Sequence, residues 1–507
     1  MPAPISDADG HLSIEGLRDG LATRTARGGA VTVAAQLVKV ALQIGTIAIL
    51  ARLLDPADFG LIAMAAVLLT FLEFFKDLGL SSATVQRERI SHDEVSALFW
   101  INVGLGVATA IVTALAAPLV AWFYREPKLA PIVLWLSLGF LLSGLTTQHL
   151  AILRRRMRFG TLAAIQLSAE AGGMATAVIA AFAGMSYWSL VAQRLVWIGL
   201  MAAGAWIACG WRPGRPRRGG EIMRLVGFGG NITLANLINF FAQNLDQILI
   251  GWYWGPIPLG LYERAIKLIL VPINNINTPL FTVFMPALSR LADDAAAYRR
   301  TYLGALEKIA MVTMPASGLL IAIPDTVVRL VFGPNWSGAV PIVGWLGVAM
   351  LYLPVGYTSS WLFVSQDRTR DMVRWSIMSS IVLVAAIGAA VPFGAVAVAA
   401  SFSLSGLFLR MPILLWLMGR RGPVRVGDIG RALVPSMLAA ASVAIVAWST
   451  RVAIARADLA PLLELALVGA IAALAAAACY AGFPRSRRAF AELARLRHVL
   501  FRSTAPS

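Results

Sequence analysis

Asp55-Pro-Ala-Asp-Phe-Gly-Leu61 has a counterpart 200 residues further along, Gly255-Pro-Ile-Pro-Leu-Gly-Leu261, with proline and glycine in the same places. At the same offset Gly29 meets Gly229, and the polar residues Gln36, Lys39 and Gln43 meet Asn236, Asn239 and Gln243. Spacings of three and four put each polar triplet on one face of a helix. A turn and a polar stripe repeated at one offset imply two structural copies of a single unit.

Each copy is apolar. Of the 507 residues, 58% are hydrophobic and 14% charged, whereas soluble proteins carry about 25% charged residues. A soluble core has no room for that much apolar surface, but one bilayer crossing takes about 20 apolar residues. Candidate spans begin at Gly29, Phe59, Val95, Leu129, Gly160 and Tyr187, and after the basic break Trp211–Gly220 at Leu225, Leu259, Leu303, Ala339, Met372 and Ala395. Beyond a second basic break, Gly419–Arg425, come Ala432–Thr450 and Leu459–Phe483. The chain therefore reads as an all-α polytopic membrane protein of roughly fourteen transmembrane helices. Its expected parts are a cytoplasmic N-terminal segment (1–28), a first six-helix lobe (29–210), a basic cytoplasmic linker (211–224) and a second six-helix lobe (225–418). A cytoplasmic loop (419–431), two extra helices (432–483) and a basic cytoplasmic tail (484–507) follow. An even number of helices per copy keeps both copies in one orientation, which makes them parallel repeats about an axis along the membrane normal.

Positive residues in short loops stay on the cytoplasmic side. Every second loop is basic: Arg87 and Arg89, Arg154–Arg158, Arg212–Arg224, Arg290–Arg300, Arg368–Arg374, Arg420–Arg431 and the tail from Arg485. The alternate loops offer only Arg52, Arg125, Lys128, Arg329, Arg451 and Arg456. Both termini are thus predicted to be cytoplasmic. Met1–Arg27 lacks the apolar core of a secretory signal and reads as a short amphipathic segment.

The formal charge of +17 belongs to arginines between apolar segments, so it is a topology signal and not a nucleic-acid surface. Cys209 and Cys479 lie in apolar runs and read as small buried hydrophobes, and His11, His92, His149 and His498 show no metal-ligand spacing. There is no Walker A loop and no catalytic constellation. A membrane polymerase or ligase would need a sizeable outside segment, and the longest expected outside loop is about Asp325–Gly338. These features favour a transporter and leave a membrane polysaccharide polymerase or ligase as the disfavoured alternative.

Inside a bilayer polar side chains are costly and mark cavities or polar contacts. Lys39 is about ten residues from either end of its span, too deep for easy snorkelling. It joins Gln36 and Gln43 as a substrate-binding candidate. In the seventh span Asn236, Asn239 and Gln243 suit sugar hydroxyls, with interhelical hydrogen bonding as the alternative. Asp246 there and Glu170 in the fifth span are candidates for coupling to a proton or sodium ion, and Glu170 is also placed to pair with Arg194. In the eighth span Pro272 and Pro279 predict a broken helix lining a substrate path, with Asn274 between them. Arg264 and Lys267 form a possible diphosphate-docking pair, the alternative being a Glu263–Lys267 ion pair. Glu73, Lys76 and Asp77 are gate candidates or a mutually neutralised cluster.

As a set, Leu53-Leu-Asp-Pro-Ala-Asp-Phe-Gly60, Asp77-Leu-Gly-Leu-Ser-Ser82, Gln86-Arg87, Leu259-Gly-Leu-Tyr-Glu-Arg-Ala-Ile-Lys-Leu268 and Pro286-Ala-Leu-Ser-Arg290 resemble the Wzx-type polysaccharide transporters, colanic-acid-exporter-like members in particular. The resemblance runs from about Gly28 to Gly419. It implies the multidrug/oligosaccharidyl-lipid/polysaccharide exporter fold, with two six-helix lobes in a V and two C-terminal helices. It further implies an undecaprenyl-diphosphate-linked oligosaccharide as substrate, carried across a bacterial inner membrane by alternating access for exopolysaccharide, capsule or O-antigen assembly. Membrane lipid, a polysaccharide polymerase and export machinery are the implied partners. No cofactor is expected beyond a coupling proton or sodium ion, and no nucleic acid. Lipid II or a small cation is the alternative cargo on the same fold.

Overall fold

The computed structural model describes residues 21–74, 76, 81, 84, 85, 87, 90–215, 240, 244–455, 460–484, 486 and 487, and among these there is no strand. Two compact units divide the chain, residues 1–260 and 261–507. Among the described residues ten helices are each long and apolar enough to cross a bilayer. The bent pair Pro334–Ala349 and Leu353–Ser365, meeting at 42°, makes an eleventh. The protein is a multi-pass membrane protein.

The first unit contains α1 (Leu21–Leu53), α2 (Pro56–Glu73), α3 (His92–Tyr124), α4 (Leu129–Arg155), α5 (Phe159–Phe182), α6 (Trp188–Cys209) and α7 (244–254). α1 has 33 residues, more than the roughly 20 a bilayer requires. The quoted Asp55–Leu61 turn works as a helix start. Pro56 occupies the first turn, where its missing N–H costs nothing, and the Asp58 carboxylate accepts the Asp55 N–H at 3.2 Å. α3 starts in the same way, its Ser91 Oγ accepting from the Glu94 N–H while Glu94 accepts from the Ser91 N–H at 2.7 Å.

With no hydrophobic drive between helices in lipid, small residues allow close backbone approach. Gly106 of α3 and Gly144 of α4 do this reciprocally: a Cβ on Gly106 would sit 2.7 Å from the Phe140 carbonyl oxygen, and one on Gly144 would sit 2.7 Å from that of Asn102. At the end with the basic loops an aromatic core closes over Trp211. The Trp211 indole donates to His92 Nδ1 at 3.1 Å, and His149 stacks on Trp206 with centroids 4.2 Å apart. His92 and His149 thus serve this core, and Cys209 is buried in it.

The second unit takes α8 (Pro256–Arg290) from Leu261 onward, then α9 (Ala295–Ala322), α10 (Pro324–Val331), α11 (Val340–Ala349), α12 (Leu353–Ser365), α13 (Thr369–Ala390), α14 (Ala395–Ser405), α15 (Met411–Gly419), α16 (Val426–Ile454) and α17 (Pro461–Ala481). Its core joins Tyr298 and Tyr302 of α9 to α12, with the Tyr302 hydroxyl donating to Thr358 at 3.0 Å and Tyr298 bonded to Ser365 at 2.6 Å. α16 crosses α9 closely, a Cβ on Gly318 meeting the Ala440 carbonyl oxygen at 2.2 Å.

One expectation fails here. α8 runs unbroken across Pro272 and Pro279. Neighbouring helices re-satisfy freed backbone groups in a membrane bundle, so proline alone does not dictate a break. The break comes instead at residues 350–352, between α11 and α12, and a π-turn at Gly406–Arg410 interrupts the span made by α14 and α15.

Two cations from the sparsely charged loops also find their explanation. Arg329 pairs with Asp325 at 3.3 Å and Glu464 at 3.8 Å, while Arg451 pairs with Asp325 and, at 3.7 Å, with Glu464. This cluster fastens α17 and α16 to α10.

Candidate functional site

The first unit contains a partly open cavity of about 430 Å³ with a mixed polar and apolar lining. α1 supplies Lys39, α2 and the turn after it Glu73 and Lys76, α4 Thr146, Thr147 and Arg154, α5 Gln166 and Glu170, and α6 Arg194 and Trp197. A second cavity of about 210 Å³ shares Lys39, Arg154 and Gln166 with the first and adds Gln36 and Phe159. Lys39 therefore borders both. Among the described residues it has no carboxylate within ion-pair distance.

The other charges are partly committed. The Gln43 amide donates to Glu170 at 3.2 Å. Glu73 takes Lys76 at 3.6 Å and Arg194 at 3.5 Å, and Arg194 also lies 5.0 Å over the Trp197 ring. The pair expected between Glu170 and Arg194 does not form: Arg194 is drawn to Glu73 on α2, and Glu170 is met by an amide. Both ion pairs on Glu73 are half exposed, so each holds the cluster weakly and can open.

In the second unit Arg264 and Lys267 both converge on Glu263. Arg264 Nε is 2.8 Å from one carboxylate oxygen and Lys267 bonds the other. Glu263 itself is only 4% exposed. A buried carboxylate needs such partners, since an uncompensated one costs several kcal/mol. The two cations thus serve first to neutralise Glu263, the alternative that equal spacing had left open. Asn274 accepts the Tyr357 hydroxyl at 2.8 Å.

In α7, Asp246 is buried and accepts the Gln247 N–H at 2.8 Å, while Asn244 donates to the Phe240 carbonyl at 2.9 Å. The interhelical alternative for Asn236, Asn239 and Gln243, and the gate role of Asp77, concern residues outside those described. Sequence reasoning passed over Arg154, Gln166, Thr146 and Thr147. Arg154 was absorbed into the topology signal, and the other three are uncharged residues whose shared cavity becomes visible only after α4 packs beside α5 and α6.

A family model described as polysaccharide biosynthesis protein matches residues 49–341. The lipopolysaccharide biosynthesis protein WzxC of Escherichia coli strain K12 is 26% identical over 373 residues, covering 72% of this chain and 75% of that one. The succinoglycan biosynthesis transport protein ExoT of Rhizobium meliloti strain 1021 is 24% identical over 308 residues, covering 61% and 62%. Among solved structures, the lipid II flippase MurJ in an inward closed conformation superposes with a TM-score of 0.70 at 13% identity, covering 89% of this chain and 99% of that one. An inward-facing multidrug resistance MATE family transporter of the MOP superfamily gives 0.59 at 13% identity, covering 79% and 98%. With the family model spanning more than half of its length, the chain belongs to the polysaccharide biosynthesis protein family, built on the multidrug/oligosaccharidyl-lipid/polysaccharide exporter fold.

Proposed function

We propose that the chain is a flippase that moves an undecaprenyl-diphosphate-linked oligosaccharide from the cytoplasmic to the periplasmic leaflet, by alternating access, for exopolysaccharide, capsule or O-antigen assembly. The observation that carries this reading is Lys39, a cation within a candidate span that borders two cavities and is not neutralised by a described carboxylate. A lipid diphosphate is the anion such a site suits, because charge-assisted contacts to phosphate are strong where water is scarce. Thr146, Thr147 and Gln166 offer hydroxyls and an amide to the sugars, while the polyprenyl tail stays in lipid. The weakly held Glu73–Lys76–Arg194 cluster serves as the gate.

The relatives support the cargo class, being named for lipopolysaccharide biosynthesis and succinoglycan transport. Coupling runs to a proton or sodium ion through Glu170 or Asp246. A polysaccharide polymerase and export machinery take up the flipped product.

Deleting the gene is expected to make lipid-linked oligosaccharide accumulate with its sugars on the cytoplasmic leaflet, reversed by the wild-type chain. Radiolabelled lipid extracts with leaflet-selective glycan probing check this, and a deletion strain with normal polysaccharide and no accumulation contradicts it.

The alternating basic loops support an orientation with both termini in the cytoplasm, in the bacterial inner membrane that the proposed cargo requires. A phosphatase reporter fused after Arg497 is expected to be inactive and a cytoplasmic fluorescent reporter bright. The opposite pattern reverses the orientation.

A further inference from the structure

We propose that a cleft between α9 and α16 binds the phosphate of an anionic phospholipid at the membrane surface. The cleft has a volume of about 420 Å³ and is lined by Arg299, Arg300, Gly304, Glu307, Asp428 and Arg431 among others. None of these residues belongs to the cavity around Lys39.

Its charges are arranged unequally. Arg299 is held in place, its Nε donating to the Pro423 carbonyl at 2.6 Å and lying 3.5 Å from Asp428. Asp428 also accepts the Arg425 N–H at 3.1 Å, which ties it to the start of α16. Glu307 lies deeper, almost two turns along α9 from Arg300. Arg300 and Arg431 are exposed, and among the described residues neither has a carboxylate within ion-pair distance. Three guanidiniums thus line the cleft with two carboxylates, an excess of one positive charge, and the exposed Arg300 and Arg431 are the two without a described ion-pair partner. α9 begins at Ala295 and α16 at Val426, so the positive ends of two helix dipoles add to the same field. The wall beside them is open, since a Cβ on Gly304 would meet nothing within 4 Å.

The surroundings favour a lipid over a soluble anion. α16 presents Val434, Met437 and Leu438 outward, 44–51% exposed, in the turns that follow Arg431. A phosphate in the cleft would thus have its acyl chains run along apolar side chains already facing the bilayer. Basic pockets between transmembrane helices at the membrane surface suit anionic headgroups for this reason. The bound lipid would pin the α9–α16 contact to one leaflet.

The test uses the full-length chain in nanodiscs or detergent, read by native mass spectrometry and by retention of phosphatidylglycerol against phosphatidylcholine. Wild-type protein is expected to retain phosphatidylglycerol preferentially. Arg300→Gln with Arg431→Gln should weaken that binding about thirty-fold. Arg300→Lys with Arg431→Lys should restore most of it, and Gly304→Leu, which fills the cleft without altering charge, should also abolish it. Equal retention of the two lipids, or undiminished binding in the double glutamine variant, overturns the proposal. Inorganic phosphate or glycerol phosphate displacing the lipid at equal concentration overturns the lipid assignment in favour of a soluble anion.

Discussion

Gly60→Ala is expected to remove most folded protein from the membrane, and Gly260→Ala to do the same. A Cβ on Gly60 would lie 1.8 Å from the Pro256 carbonyl oxygen and 2.5 Å from its carbon; one on Gly260 would lie 1.9 Å from the Pro56 carbonyl oxygen. All four residues fall in the first unit. The obstructing atoms are backbone in the first turns of α2 and α8, so no side chain can swing aside and the helix starts themselves must separate. Overpacking typically costs about 1–3 kcal/mol and sometimes more, and a backbone clash at both starts belongs at or above the upper end. Gly104→Ala is the control: a Cβ there meets nothing within 4 Å, and alanine in a helix interior gains about 1 kcal/mol over glycine. The monodisperse fraction after graded heating should collapse for the first two variants and hold for the third. Normal stability of Gly60→Ala would mean the two turns are not in contact.

The reciprocity of this contact has a sequence origin. Pro56 and Gly60 meet Pro256 and Gly260, the residues that the 200-residue offset pairs, and each glycine receives the other copy's proline. This much was legible because proline and glycine carry their backbone roles with them. The helices were legible for a similar reason, as apolar length alone marks a span.

The polar contacts were much less so. Glu263, Arg264 and Lys267 stand at spacings that suit either a docking pair or an ion pair, and only the burial of Glu263 decides. Consecutive spans make Glu170 one possible partner for Arg194, yet Arg194 reaches Glu73 on α2. Pairing across helices depends on which faces meet, and periodicity within one helix carries no record of that. Pro272 and Pro279 misled in the other direction, since their cost depends on what surrounds them.

These placements separate two sets of variants that the sequence treats alike. Lys39→Gln is expected to stop polysaccharide export while the protein stays in the membrane at normal abundance. Lys39 has no described partner to strand, so its loss removes a ligand contact and little else. One charge-assisted phosphate contact is worth about 1.5–3 kcal/mol, or about ten- to a hundred-fold in affinity. Arg264→Gln with Lys267→Gln is expected to differ, because it leaves Glu263 buried without its cations, a loss of about 3–5 kcal/mol in fold stability. Adding Glu263→Gln should recover abundance, and only that triple variant reports on substrate. Quantitative immunoblotting of membranes beside surface polysaccharide assays distinguishes the two behaviours. Export at the wild-type level by Lys39→Gln would make that lysine structural.

Purified protein reconstituted into vesicles that carry the undecaprenyl-diphosphate-linked oligosaccharide on one leaflet gives the most direct test of translocation. The wild-type chain should transfer the glycan to the opposite leaflet, read as newly acquired susceptibility to an added glycosidase, and Lys39→Gln should transfer it at least about ten-fold more slowly. Transfer by wild-type vesicles no faster than by protein-free ones, with correctly folded protein present, would contradict the assignment of this chain as a lipid-linked oligosaccharide flippase.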